Sequence, residues 1–126
     1  MSDIYLDTSG LVALAFAERG ATGIARRLEA ATAVYSSNLL EAEFRSVLVR
    51  EGVESGALLE PIRWVVPDRP LSGEFDRVLE AGYVRGADLW HVACALFIEP
   101  EPRELVFLTL DRRQRDVARK LGFRTS

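Results

Sequence analysis

One cysteine, one histidine and a single lysine in 126 residues remove several kinds of chemistry at the outset. A lone Cys94 can build neither an internal disulfide nor a thiolate-rich zinc centre. With His91 as the only imidazole, a histidine-based zinc site is disfavoured as well. The chain has no Gly-rich phosphate loop with its lysine, which argues against a phosphate-loop nucleotide enzyme. No apolar run approaches the roughly 18 residues that a membrane span needs, and residues 1–7 have neither the basic start nor the apolar stretch of a secretory signal. The expectation is therefore a cytoplasmic protein with no membrane contact. Internal repeats, low-complexity tracts and interdomain linkers are also missing.

Basic residues do not outnumber acidic ones. Sixteen against nineteen give a formal net charge of -3, which argues against broad, charge-driven coating of nucleic acid. A local contact is still open, because residues 112–124 carry Arg112, Arg113, Arg115, Arg119, Lys120 and Arg124 against the single acid Asp116. Such a patch suits an RNA backbone held beside a pocket of negative charge. Arginine offers phosphate a planar fork, although a GC-rich genome would produce the same preference for arginine over lysine.

What is present is an ordinary globular composition, 48% hydrophobic and 28% charged, in a length that fits one domain spanning 1–126. Hydrophobic periodicity predicts strands over 4–6, 33–35, 62–66 and 105–110, with a last edge strand beginning at Phe123. Helices are predicted over 11–17, 23–30, 39–50, 88–98 and from Asp111 to about Gly122, with a short one over 54–60 and another after Pro70 ending near Gly82. Strands alternating with helices imply crossover connections and a mostly parallel sheet of four or five strands, covered on both faces as a three-layer α/β/α sandwich. In that architecture ligands bind beyond the carboxyl ends of the strands.

Two acids stand at that edge. Asp7 follows Ile4-Tyr5-Leu6, and Asp111 follows Phe107-Leu108-Thr109-Leu110. Each could equally serve as a helix N-cap. Asp88 opens the most apolar helix, where the nearby polar groups are His91 and the indole nitrogen of Trp90. Carboxylates gathered from several segments repel one another unless a cation lies among them. Magnesium or manganese prefers such oxygen ligands and keeps waters, one of which can attack a phosphodiester. A fourth acid is expected from the helix after Ser36-Ser37-Asn38, but Glu41 and Glu43 flank its apolar stripe at nearly equal angles, and periodicity does not choose between them.

His91, three residues after Asp88, could touch it across one turn. It is nevertheless read as a neutral structural imidazole and is not nominated as a general base. Ser9 and Thr109 could bond a carboxylate or only cap and pack. Trp64 and Trp90 are read as core or dimer-surface aromatics, and Cys94 as a small buried filler.

Four pieces, in order along the chain, resemble the PIN-domain ribonucleases, especially the small toxins of the VapC type. They are Tyr5-Leu6-Asp7-Thr8-Ser9, Ser37 followed by Glu43, Arg85-Gly86-Ala87-Asp88-Leu89-Trp90-His91-Val92-Ala93-Cys94-Ala95-Leu96, and Leu108-Thr109-Leu110-Asp111 leading into Val117-Ala118-Arg119-Lys120-Leu121-Gly122-Phe123. The resemblance assigns the catalytic, metal-holding acids to Asp7, Glu43, Asp88 and Asp111, with supporting hydroxyls from Thr8, Ser9 or Thr109. It implies a Mg2+-dependent (or Mn2+-dependent) endoribonuclease acting on transfer or ribosomal RNA, dimeric, and silenced by a small antitoxin that covers the acidic cleft. The sequence departs from the commonest pattern at Gly10, where a better helix former is usual, and in the uncharged stretch 11–17, where a basic residue is often found. Two rivals are weighed against this reading. A catalytically idle PIN-like binding domain would be expected to lose site acids, yet all four positions are filled. A magnesium-dependent phosphate-monoester hydrolase usually wants a second acid two residues after the first, and here Asp7 is followed by Thr8-Ser9.

Overall fold

The computed structural model describes residues 2–125. In chain order the elements are β1 (Ile4–Leu6), α1 (Thr8–Ala15), α2 (Ala21–Ala30), β2 (Val34–Ser37), α3 (Asn38–Glu51), β3 (Ile62–Val65), α4 (Ser72–Ala81), α5 (Gly86–Ile98), β4 (Val106–Leu108) and α6 (Arg112–Leu121). The strands form one four-stranded sheet in the order β3-β2-β1-β4, and every pairing is parallel.

Side chains alternate across each strand, and this alternation sorts the core into two halves. Ile4 and Leu6 of β1, with Val106 and Leu108 of β4, face Leu11, Ile24, Leu40, Phe44 and Leu48 on α1, α2 and α3. Tyr5 and Phe107 point the other way, toward Val78, Val92, Leu96, Val117 and Ala118 on α4, α5 and α6. The result is a three-layer α/β/α sandwich with a parallel sheet at its centre. Tyr5 and Phe107 stack across β1 and β4, ring centroids 5.3 Å apart and planes within 8°. No helix of the described residues is long and apolar enough to cross a membrane.

Sheet order fixes where a site can form. From β1 the chain steps outward to β2 and β3, then crosses back to lay β4 on the other side of β1. Connections leaving β1 and β4 therefore diverge to opposite faces, opening a crevice beyond their carboxyl ends. Asp7 leaves β1 into that crevice, and Thr109 and Asp111 leave β4.

Several expectations change in detail. Of the four or five strands expected, four form among the described residues. The edge strand expected from Phe123 reduces to a parallel bridge between Val106 and Arg124, with Phe123 turned inward against Phe107. The short helix expected over 54–60 contracts to a 3-10 turn, Gly56–Leu59. The first helix begins at Thr8 rather than at residue 11, which places Gly10 inside it. A Cβ on Gly10 would stand 2.7 Å from Leu6 Cδ1, so the close approach of helix to strand explains the poor helix former.

Gly122 ends α6 with φ +109, a left-handed conformation, and a Cβ there would come within 3.3 Å of the Pro102 carbonyl oxygen. Gly122→Ala is expected to cost about 1–2 kcal/mol, read as a lower urea midpoint with unchanged slope.

Candidate active site

Asp7 is the N-cap of α1 and is only 3% exposed. Its Oδ1 accepts hydrogen bonds from the Gly10 amide at 3.3 Å and the Ser9 hydroxyl at 2.8 Å, while Oδ2 accepts from the Thr109 hydroxyl at 2.7 Å. The two hydroxyls also accept backbone amides on the far side, Ser9 from Leu110 and Thr109 from Asp111. They thereby sew the end of β4 to the end of β1. Burial pushes the Asp7 carboxyl above the usual carboxylate range, against the pull of the Thr109 and Ser9 bonds.

Asp111 is likewise an N-cap. Its Oδ1 accepts the Gln114 amide at 2.8 Å, which fixes the start of α6. Gln114 is buried beneath it, with Oε1 3.1 Å from the Thr109 hydroxyl and Nε2 donating to the Asp88 carbonyl at 3.3 Å. This glutamine joins β4, α5 and α6 at one point. Its inward position was readable in principle, since 114, 117, 118 and 121 follow the helical period.

Asp88 lies in the first turn of α5 rather than at its cap, because the helix starts at Gly86. Partial burial raises its pKa, and the neighbouring charge of Asp111 raises it further, as does that of Glu43, while that of Arg85 opposes. Asp88 and Asp111 line a common pocket of about 270 Å³ with Tyr83, Arg85 and Arg113.

The two candidate acids of α3 are about equally exposed and differ in their partners. Glu41 pairs with Arg45 at 2.8 Å. Glu43 instead accepts from the Thr8 hydroxyl at 2.6 Å and stands 3.6 Å from His91 Nε2. These two neighbours, His91 first, hold its carboxyl below the usual range.

His91 is fully enclosed, and its partners define its tautomer. The Tyr5 phenol accepts the Ser37 amide at 3.2 Å and lies 2.9 Å from His91 Nδ1. Thr8 spends its hydrogen on Glu43, so its oxygen accepts from Nε2; in the neutral imidazole Nδ1 is then the acceptor of the phenol hydrogen. The imidazole hydrogen then sits on Nε2, directed at the Thr8 hydroxyl 3.1 Å away, which passes its own hydrogen to Glu43. A directional chain Tyr5→His91→Thr8→Glu43 results. Sequence reasoning missed Tyr5, whose position in an apolar strand gives no sign of a polar task. It also treated His91 as near Asp88 without seeing its link to Glu43.

These acids are neighbours, yet among the described residues no group of three His, Cys, Asp or Glu side chains is drawn together closely enough to hold a metal ion. Asp7 is wrapped by protein donors, Glu43 is tied to Thr8, and Asp88 faces Asp111. The donor set still suits a hard divalent cation, being entirely carboxylate and hydroxyl oxygen with excess negative charge at the Asp88 and Asp111 pair.

A protein-family model described as PIN domain matches residues 4–120. No curated protein matches the chain.

Proposed function

The chain belongs to the PIN-domain family, and on that premise we propose that it is a divalent-metal-dependent endoribonuclease hydrolysing RNA phosphodiester bonds. The observation carrying this reading is the pairing of Asp88 with Asp111 in one pocket at the sheet's switch point, with Asp7 and Glu43 on adjoining elements. Asp88, Asp111, Asp7 and Glu43 would hold Mg2+ or Mn2+. Such an ion, when bound, supplies Lewis acidity at a phosphoryl oxygen and an activated water.

The remaining work belongs to the chain. Thr109 and Ser9 hold both oxygens of Asp7 in place. The Tyr5, His91 and Thr8 chain keeps one oxygen of Glu43 from rotating. Arg85 and Arg113 on the pocket rim attract a phosphate that two aspartates alone would repel. Water attack at phosphorus breaks the bond to the 3′ oxygen, leaving a 5′-phosphate and a 3′-hydroxyl. The biological setting proposed is the toxin of a toxin–antitoxin pair, a homodimer in the cytoplasm that cuts transfer or ribosomal RNA. A small antitoxin protein would then be its regulator.

One observation favours a second reading, a PIN-like binding domain without turnover: no three acids converge into a metal nest among the described residues. Incubation with structured cellular RNAs separates the two. Internal cuts bearing 5′-phosphates are expected with magnesium or manganese and not with chelator. Binding without any cut in either metal would favour the idle domain.

A further inference from the structure

The basic stretch after Asp111 and the exposed ring of Tyr83 meet beside the acidic pocket, and no role above uses that ring. Tyr83 is 64% exposed, and no other aromatic among the described residues is as open. It is not a loose surface side chain. Val84 beside it is buried, and Gly82 packs so closely on α6 that a Cβ there would meet Val117 Cγ2 at 2.9 Å. The connection between α4 and α5 is thus pressed against α6, and the ring comes to rest with the Arg113 guanidinium carbon 5.8 Å from its centroid.

Tyr83 and Arg113 belong to two depressions at once. On one side they line the pocket of Asp88 and Asp111. On the other they line a groove of about 520 Å³ with Gly82, Arg112, Asp116 and Lys120. Among the described residues, Arg112, Arg113 and Lys120 take part in no ion pair, so their charge is available to a ligand. A cationic track beside an exposed aromatic is the arrangement that holds single-stranded nucleic acid, phosphates on the charges and a base on the ring. A duplex presents no free base face to such a platform.

We propose that Tyr83 and α6 form the strand-binding face of the site: an unpaired RNA base stacks on Tyr83 while its flanking phosphates lie along Arg113, Arg112 and Lys120, so that the strand continues into the pocket of Asp88 and Asp111. This rests on the nuclease reading for its choice of RNA, and it gives the base contact to Tyr83 and the phosphate contacts to α6.

Binding can be tested without cutting. Anisotropy of a labelled, unstructured RNA of about a dozen nucleotides, with chelator present, compares the full chain with Tyr83→Ala, Tyr83→Phe and Arg113→Gln. Tyr83→Ala is expected to weaken binding about tenfold or more, whereas Tyr83→Phe stays within about twofold. Arg113→Gln lowers the salt slope by about 0.7, the loss of one phosphate contact on a single strand. The same RNA annealed to its complement binds more weakly and is indifferent to Tyr83→Ala. Equal binding by natural chain and Tyr83→Ala, or equal losses on strand and duplex, would overturn the proposal. So would the absence of any RNA binding by well-folded natural chain, which would leave the groove to an acidic protein segment.

The two readings fail separately. RNA cut in metal with Tyr83→Ala binding unimpaired removes the strand-binding face and leaves the nuclease. Strand binding through Tyr83 without any cut does the reverse.

Discussion

Asp88→Asn is expected to abolish RNA cleavage while leaving the protein at least as stable as the natural chain at neutral pH. The loss should be on the order of 10²–10³-fold, the equivalent of the few kcal/mol that a metal-holding carboxylate contributes to the transition state. The stability argument runs the opposite way. Asp88 is partly buried and repelled by Asp111 and Glu43, so its folded pKa is raised. A group with a raised folded carboxyl pKa weakens the fold when ionised. Above that pKa the natural chain carries the full penalty and the amide does not. As pH falls through the folded value toward the ordinary carboxylate value the difference shrinks, and below the latter it is gone. Melting curves of both proteins with chelator, across that pH window, measure it. A variant that loses activity together with stability would point instead to a structural role for Asp88. Added manganese should raise the melting temperature of the natural chain and not that of Asp88→Asn.

His91→Leu should produce the largest stability loss of any site substitution considered. Leucine fills much of the space but leaves the buried Tyr5 hydroxyl without its acceptor and Thr8 without its donor. An orphaned buried hydroxyl costs about 1–3 kcal/mol, and with the second lost bond the total comes to about 2–4 kcal/mol, a fall in melting temperature on the order of 10 °C. Two polar replacements divide the effect. Asparagine places an acceptor near the position of Nδ1 and serves Tyr5, whereas glutamine reaches the position of Nε2 and serves Thr8. His91→Asn is therefore expected to keep more stability, and His91→Gln more activity, because only the latter still directs Thr8 at Glu43. Thermal melts and single-turnover cleavage rates on the three variants test this. Parallel loss of both properties in Asn and Gln variants would show that the ring acts only as packing.

The parallel sheet and its two helical layers were legible because apolar alternation and helical periodicity are local. Asp7 and Asp111 could be placed at the sheet edge for the same reason: each directly follows a strand. The pairing of Glu43 with Thr8 was not legible, since Glu41 and Glu43 lie nearly symmetrically about the apolar stripe of α3, and only the packed neighbours distinguish them. The start of α1 was misread because Thr8, Ser9 and Gly10 look like a turn. Asp7 caps them into helix, and Leu6 leaves room for no side chain at position 10. The extent of the final strand depended on Phe123 turning inward, a tertiary event that propensity does not encode. Tyr83 gave no sequence signal, because what distinguishes it is the neighbouring α6.

The bond from Thr109 to Asp7 spans 102 residues, and the first strand is flanked by the second and by the last. During synthesis the amino-terminal half of the molecule can pair β1, β2 and β3, yet it holds Asp7 with the Ser9 hydroxyl alone, without that of Thr109 and without Asp88 or Asp111. The acidic site cannot exist until β4 has left the ribosome and inserted beside β1. A nascent chain that has not yet docked β4 therefore lacks the assembled acidic site, and the onset of the proposed cleavage is timed by the docking of that strand.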